Sequence, residues 1–254
     1  MSSRAHSVAK AVVLAASGVM LYTHLRNGTL AFYINQRFAW LSLLAVLLFL
    51  TLALAMLGAL LARRGAWEDE RELVLTLSSA QPPRSEGRLS VWAVLVLLLP
   101  ALLGLLIPPR PLGAGAVEVR GIGLVAPDRP SASVGRAISE PSTILDWLRE
   151  FARAGDPAAL AGRKVEVVGF VYRDPRNAPG EFWVSRFTVS CCVADAAAVG
   201  LLARWAQADQ LKPDEWVRVV GRFGVGEFAG ERLPVILAER IEPVPPPSQP
   251  YLHP

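Results

Sequence analysis

The chain is 254 residues long, 52% of them hydrophobic, and its mean hydropathy of +0.36 is too high for one ordinary soluble domain. The formal net charge is +4, and this excess lies before Arg110, because the part from Arg110 onward has 17 basic and 17 acidic residues. A C-terminal part without a cationic excess argues against binding to nucleic-acid phosphates. Composition therefore indicates a membrane part followed by a soluble part, with no nucleic-acid partner.

Three uncharged apolar runs predict transmembrane helices over about 8–25, 39–62 and 89–107, which makes the lipid bilayer the first expected partner. The second and third runs contain 22 and 19 uncharged residues, and about 20 residues cross the hydrocarbon core. The first run follows Lys10 closely, so it also has the form of a secretory signal. Bulky residues after Met20, where a cleavage site needs small ones, favour an uncleaved helix.

The positions of the basic residues predict the orientation of these helices. The N-terminus and the loop before the third helix carry seven Lys and Arg, against four on the other side. Because positively charged flanks stay in the cytoplasm, we expect a multi-pass protein of the cytoplasmic (inner) membrane. Its N-terminus would be inside and its C-terminal domain outside.

The predicted domains are a transmembrane region at 1–110, a linker at 111–138 and an exported domain at 139–254. Within the linker, Val117–Val119 predicts a short strand. Ser142 is the predicted N-cap of a helix with apolar side chains along one face.

Alternating apolar patterns between turn clusters predict five strands after that helix. They are expected at 164–172, 181–193, 196–208, 216–225 and 233–241. The third of these is rich in alanine, so its sequence is also compatible with a helix. The fold class is therefore a membrane α-helical part of about three transmembrane helices plus a small C-terminal all-β, OB-like barrel domain with one flanking helix. A fragment of a β-sandwich is the alternative.

Both cysteines of the chain lie in the run Ser190-Cys191-Cys192-Val193-Ala194-Asp195. On the predicted strand, neighbouring side chains point to opposite faces, so one thiol would enter the barrel and the other would face outward. Cys191, Cys192 and Asp195 are a candidate site for zinc or another thiophilic ion, with a fourth ligand from elsewhere. Structural thiols and thiol redox chemistry are the alternatives.

His24 lies at the outer end of the first predicted helix and is followed by Gly28, Tyr33 and Asn35. Such residues usually anchor a helix at the membrane boundary, and contact with a partner or a substrate path is the alternative. An ion-coupled transporter would require charged residues inside its membrane spans, and the apolar core of each predicted span contains none. The sequence also contains no recognisable catalytic motif, so we do not expect an enzyme.

Several runs of the sequence together resemble the YcgQ-like family of two-component membrane permease subunits. They are His24–Leu30, Tyr33–Asn35, Gly169–Arg173, Arg186–Phe187 with the CCVADA segment, Trp216–Gly221 and the tail Pro247–Tyr251. The resemblance also marks the barrel positions Gly169, Tyr172, Arg186, Trp216 and Gly221 as family-type. Relatives often have a histidine-rich loop between the second and third helices, whereas 62–88 contains no histidine here.

This resemblance implies an accessory subunit of a permease, related to metal or metalloid transport, whose partner is a larger polytopic permease subunit. The alternative function is a membrane-anchored extracytoplasmic binding or sensor module. A thiol redox protein is a further alternative, which depends only on the adjacent cysteines.

Overall fold

The computed structural model describes residues 3–65, 91–123 and 143–253. By its contacts the chain divides into two compact units. The first unit comprises Met1–Leu30 and Gln36–Pro109, and the second comprises Ala31–Asn35 and Arg110–Pro254. The five residues Ala31–Asn35 therefore belong to the C-terminal unit, although they lie between two helices of the first unit in sequence.

The first unit contains three helices, α1 (Ser3–Arg26), α2 (Ala39–Gly65) and α3 (Val91–Leu106). The stretches Ala5–Arg26 and Gln36–Ala62 are long and apolar enough to cross a membrane, and only 11% of each apolar window is buried. Core helices of soluble proteins bury most of such a surface, so these two helices expose the kind of surface that lipid covers. The first two predicted helices are confirmed as helices of this length and composition.

The third predicted helix is present but shorter. Helix α3 has 16 apolar residues with Pro100 inside it, which corresponds to a length of about 24 Å. The hydrocarbon core of a bilayer is about 30 Å thick, so α3 is shorter than a full untilted span. Residues 89 and 90 of the predicted helix lie outside the described residues.

The second unit begins with a short helix, α4 (Ala114–Arg120), followed by a two-residue strand, β1 (Ile122–Gly123). The strand predicted at Val117–Val119 is therefore helical. The Ala114 backbone N–H at the helix start donates to the Asp214 carboxylate, and Val117 is 1% exposed in the domain core. These tertiary contacts override the local preference of valine for a strand. The predicted linker end at residue 138 lies outside the described residues.

Helix α5 (Ile144–Ala154) is the helix predicted beside the sheet. Its N-cap is Thr143, whose side chain and backbone form a reciprocal capping box with Asp146. The predicted N-cap, Ser142, lies outside the described residues. Gly155 ends the helix with a φ of 69°, a left-handed conformation that glycine adopts without steric cost.

Six further strands follow α5. They are β2 (Lys164–Tyr172), β3 (Glu181–Thr188), β4 (Ala197–Arg204), β5 (Trp216–Phe228), β6 (Glu231–Pro243) and β7 (Tyr251–Leu252). All five predicted strands are therefore present as β2 to β6. The predicted second strand ends at Thr188 rather than at residue 193, because the chain leaves the β3–β4 ladder there.

The five strands from β2 through β6 pair with one another in a closed ring. Antiparallel pairs join β3 to β2, β2 to β5, β5 to β6 and β3 to β4, and a parallel pair between β4 and β6 completes the ring. Strand β1 adds in parallel beside β4, and β7 adds in parallel beside β3. The domain is thus a mixed seven-stranded sheet whose order is β1-β4-β6-β5-β2-β3-β7.

Strand β4 has apolar contacts on both faces, which explains why its sequence was ambiguous. Val199 and Leu201 pack in a cluster with α5, whereas Ala198 and Leu202 pack in a second cluster with α4. A strand that is buried on both faces loses the alternation of polar and apolar residues that identifies a half-exposed strand.

We expect the close packing at two family-type glycines to make alanine destabilising there. A Cβ atom at Gly169 would lie 2.6 Å from the Ser185 carbonyl oxygen, and one at Gly221 would meet the Leu237 carbonyl at a β-bulge. Gly169→Ala and Gly221→Ala should each lower the free energy of unfolding by about 1–3 kcal/mol, as other overpacked sites do. The measurement is the thermal midpoint of the detergent-solubilised protein by tryptophan fluorescence.

The matched control is Gly115→Ala in α4, where a Cβ atom would meet nothing within 4 Å. Alanine is the better helix former, so this variant should keep or slightly raise the midpoint. Equal midpoints for all three variants would contradict the close approach of strands at Gly169 and Gly221.

Candidate functional site

The two cysteines lie in a loop between β3 and β4, which we call the Cys191 loop (residues 189–196). Because β3 ends at Thr188, the prediction that the two thiols point to opposite faces of a strand is wrong. Their sulfur atoms lie only 3.7 Å apart, and both thiols are free. Cys191 is exposed and Cys192 is half-buried.

The Asp195 carboxylate shapes this loop. It accepts the backbone N–H groups of Ser190, at 3.0 Å, and of Cys191, at 2.7 Å. Backbone donors that are satisfied by a side chain are not available for a strand ladder, and they hold the chain in a turn. A short 3-10 turn, Val193–Asp195, follows the two cysteines.

The segment Ala31–Asn35, which we call the Asn35 segment, forms an antiparallel bridge with this loop. Ile34 pairs with Cys192. The Asn35 backbone N–H donates to the Cys191 carbonyl, and the Val193 backbone N–H donates to the Tyr33 carbonyl, both at 2.9 Å. Two stretches of the chain that are more than 150 positions apart in sequence are thus hydrogen-bonded side by side.

The Asn35 side chain is a further connection to the loop. It is 3% exposed, and its Nδ2 donates to the Ser190 carbonyl at 3.0 Å and to the Val189 carbonyl at 3.4 Å. A buried carbonyl without a partner would be costly, so these bonds stabilise the loop conformation. Asn35 therefore acts inside the C-terminal unit and not as an anchor facing the lipid.

Two more side chains connect this region, and no local sequence pattern indicates their roles. The Tyr251 hydroxyl donates to the Phe32 carbonyl at 3.1 Å and accepts the Leu112 backbone N–H at 2.9 Å. The Arg120 guanidinium donates to the carbonyls of Val193, at 3.1 Å, and of Ala196, at 2.6 Å. These contacts join partners 73 to 219 residues apart, so no short motif identifies them.

The electrostatics of the loop keep the Cys191 thiol protonated. Its hydrogen bond to Asp195 raises the pKa of Cys191 to about 11, and the contact with Cys192 adds to this. Burial by itself would raise the pKa of Asp195, but hydrogen bonds from Cys191 and Ser190 outweigh burial and lower that pKa. Reactive redox cysteines instead have a depressed pKa, so this environment does not favour thiol redox chemistry.

The three candidate metal ligands do not converge on one point. Both oxygens of Asp195 accept backbone N–H groups, as described above. Within the described parts of the chain, no group of three or more His, Cys, Asp or Glu is placed to hold a metal ion. Zinc or another thiophilic ion at Cys191 and Cys192 stays a prediction.

Of the other candidates near the end of the first helix, His24 and Gly28 lie in the first unit, whereas Tyr33 lies in the second. His24 is 9% exposed, with Nδ1 2.8 Å from the Thr29 hydroxyl and Nε2 3.1 Å from the Gly104 carbonyl. These contacts join α1 to α3 within the chain. Gly28 has a φ of 72° just after α1, where glycine is the natural residue. The Tyr33 side chain is 40% exposed.

The family-type positions stabilise the C-terminal β domain and its tail. The Arg186 guanidinium donates to the carbonyls of Gln249 and Pro250 and lies 5.8 Å from the Trp216 ring centroid. Burial lowers the pKa of Arg186 to about 10. Tyr172 is 6% exposed, and burial followed by the nearby Asp174 carboxylate raises its pKa. These contacts are within the domain, and they indicate a structural role.

The chain has two apolar helices, and the segment between them belongs to the C-terminal β domain. This arrangement indicates a membrane-associated protein. The DUF1980 N-terminal domain matches residues 10–123, and the DUF1980 C-terminal domain matches residues 144–254. The chain therefore belongs to the DUF1980 family, and this confirms the resemblance to the YcgQ-like family.

Two relatives give this family assignment its context. The chain is 24% identical over 265 residues to a Streptococcus mutans protein named "Putative two-component membrane permease complex subunit", covering 89% of this chain and 92% of the relative. It is 26% identical over 99 residues to the UPF0703 protein YcgQ of Bacillus subtilis, covering 38% of this chain and 35% of that relative.

We expect Asn35→Ala to loosen the Cys191 loop. Loss of the two amide hydrogen bonds should cost about 1–3 kcal/mol, which is roughly a 5- to 150-fold increase in local opening. In a Cys191→Ser background, the rate at which maleimide labels the half-buried Cys192 should rise by a similar factor. Mass spectrometry of the labelled protein over time measures this rate.

The control is Asn27→Ala, which removes an exposed amide from the same interhelical region. It should leave the labelling of Cys192 unchanged. An Asn35→Ala protein that is labelled no faster than the Asn27→Ala protein would show that the amide does not hold the loop.

Proposed function

We propose that this protein is an accessory subunit of a two-component membrane permease, with a larger polytopic subunit as its partner. The name of the Streptococcus mutans relative, which aligns over nearly the whole of both chains, supports this role. The observation in the structure that carries it is the Asn35 segment, which connects two apolar helices and is also part of the C-terminal domain. The name of this relative argues for a transport accessory rather than an enzyme.

We also propose three membrane crossings, with the N-terminus inside and the C-terminal domain outside. If α1 and α2 both cross, the Asn35 segment between them emerges on one side and α2 returns the chain to the other. The C-terminal domain contains the Asn35 segment, so it must lie on the side where that segment emerges. The chain can reach that side only if α3 crosses as well, and a short span is accommodated by local thinning of the bilayer.

The ring of strands supports an OB-type barrel for the exported domain. Five strands close the ring, and its single parallel pair joins β4 to β6, the third and fifth strands of that ring in chain order. Barrels of this kind bind ligands or partners through their surface strands and loops. In the proposed complex, this domain covers or gates the outer mouth of the polytopic subunit.

Cysteine labelling of spheroplasts tests the three-span topology. Single cysteines replace Asn27, Ser85 or Ser248 in a background without Cys191 and Cys192, and a membrane-impermeant maleimide is added. Asn27→Cys and Ser248→Cys should be labelled at once, because both residues are exposed and both lie on the outer side in this topology. Ser85→Cys should be labelled only after permeabilisation. Labelling of Asn27→Cys together with protection of Ser248→Cys would contradict the crossing by α3.

Co-expression with the polytopic subunit tests the permease assignment. The tagged full chain should purify with that subunit in a fixed stoichiometry in mild detergent, as native mass spectrometry would show. An unrelated polytopic membrane protein is the control and should not be retained. A chain that purifies alone under conditions that preserve other membrane complexes would instead support the anchored binding or sensor module.

A further inference from the structure

The two cysteine sulfurs lie at a separation that suits one coordination geometry. They are 3.7 Å apart. With metal–sulfur bonds of about 2.3 Å, a tetrahedral angle places two sulfurs about 3.8 Å apart, whereas a linear arrangement places them about 4.6 Å apart. The observed separation therefore matches two corners of a tetrahedron without movement of the backbone.

The backbone on both sides of the pair is already held. The Cys191 N–H bonds to Asp195, the Cys191 carbonyl accepts from Asn35, and the Val193 N–H donates to Tyr33. These bonds hold the backbone that carries both thiols, so only the side-chain torsions of the two cysteines remain to be fixed when an ion binds. Such pre-organisation reduces the entropy lost on binding.

The loop brings two thiol ligands together and no further ligand of the His, Cys, Asp or Glu type among the described residues. The chain contains no other cysteine. The Asp195 carboxylate accepts two backbone N–H groups and the Cys191 thiol, so it is already engaged within the loop. A structural zinc site has four protein ligands and a catalytic site has three, so a pair of thiols alone is neither.

We propose that Cys191 and Cys192 form a two-sulfur half-site for a thiophilic, tetrahedral divalent ion of the zinc class, completed by ligands from another molecule or by water. Asp195 is a positioning residue of this half-site and not a ligand. Because Cys191 is exposed, a second molecule can reach the open positions. Two ligands hold such an ion loosely, which suits an ion passed between molecules.

This half-site deepens the proposed function, because it names the kind of ion that an accessory subunit would present to its permease. On binding, two metal–sulfur bonds form, and the two thiol protons pass to solvent. Occupancy should therefore increase with pH.

Titration with Co²⁺, a spectroscopic substitute for Zn²⁺, tests the half-site in the reduced, detergent-solubilised full chain. One equivalent should produce a thiolate-to-cobalt charge-transfer band and the intense visible bands of tetrahedral cobalt, and Zn²⁺ should displace it. Cys191→Ser and Cys192→Ser should each bind at least about tenfold more weakly and lose charge-transfer intensity. N-ethylmaleimide treatment of the folded wild-type protein should abolish the band, which gives a second measurement independent of the folding of the variants.

Two further variants distinguish ligands from positioning residues. Asp195→Asn should leave the band positions unchanged while it weakens binding by about 10- to 100-fold, as expected for a residue that orients a ligand. His253→Ala removes an imidazole whose Nδ1 lies 3.2 Å from the carbonyl of Val189, the first residue of the loop, and it should leave both the band and the affinity unchanged. A band shifted by Asp195→Asn would make the carboxylate a ligand and overturn the two-sulfur half-site.

The absence of a charge-transfer band in the wild-type protein would overturn the half-site, as would an undiminished band in the double-serine variant. Co-purification of the double-serine variant with the polytopic subunit separates the two proposals. If this complex forms while the wild-type protein shows no band, only the half-site fails. If cobalt binds as expected and no complex forms, the permease assignment fails and the half-site stands.

Discussion

The antiparallel bridge between the Asn35 segment and the Cys191 loop is the contact on which the organisation of this protein depends. Two backbone hydrogen bonds and one buried amide join residues more than 150 positions apart in the chain. A bridge of this size has little stability by itself, because bringing together such distant residues costs loop-closure entropy. The closed ring of strands and the buried side chains of Asn35 and Tyr251 provide the framework that offsets this cost. The C-terminal domain is consequently not built only from residues that follow the last apolar helix, α3, because it also contains the Asn35 segment.

The chemistry of the cysteine pair also follows from this framework. A carboxylate three residues after adjacent thiols has the composition of a metal site, and a carboxylate near a thiol has the composition of a redox site. In the folded loop, the Asp195 carboxylate instead accepts the backbone N–H groups of Ser190 and Cys191. Such charge-assisted hydrogen bonds are strong, and they satisfy these two donors. The same carboxylate raises the pKa of the Cys191 thiol, which makes Cys191 a poor nucleophile at neutral pH. What remains available is the pair of sulfurs itself.

The predictions from sequence succeeded where a pattern is local and failed where a distant partner decides the structure. Two apolar helices and the five strands of the ring were predictable because length and alternation are properties of short windows. Helix α4 was not, since its start is capped by Asp214, a hundred residues later, and its Val117 is buried in the domain core. The end of β3 at Thr188 was missed for a related reason, because Asp195 and Asn35 take the backbone groups of the following residues.

The amino-acid sequence by itself determined the division into apolar helices and a charge-balanced β domain, the approximate strands of that domain, and the family to which the chain belongs. These properties depend on composition, periodicity and short runs of residues. Only the tertiary structure decided that Asn35 belongs to the C-terminal domain, that Arg120 and Tyr251 hold the same region, and that the two sulfurs face each other at 3.7 Å. Those features arise from hydrogen bonds between residues far apart in the chain, and no local pattern encodes which distant carbonyl a buried amide or guanidinium will find.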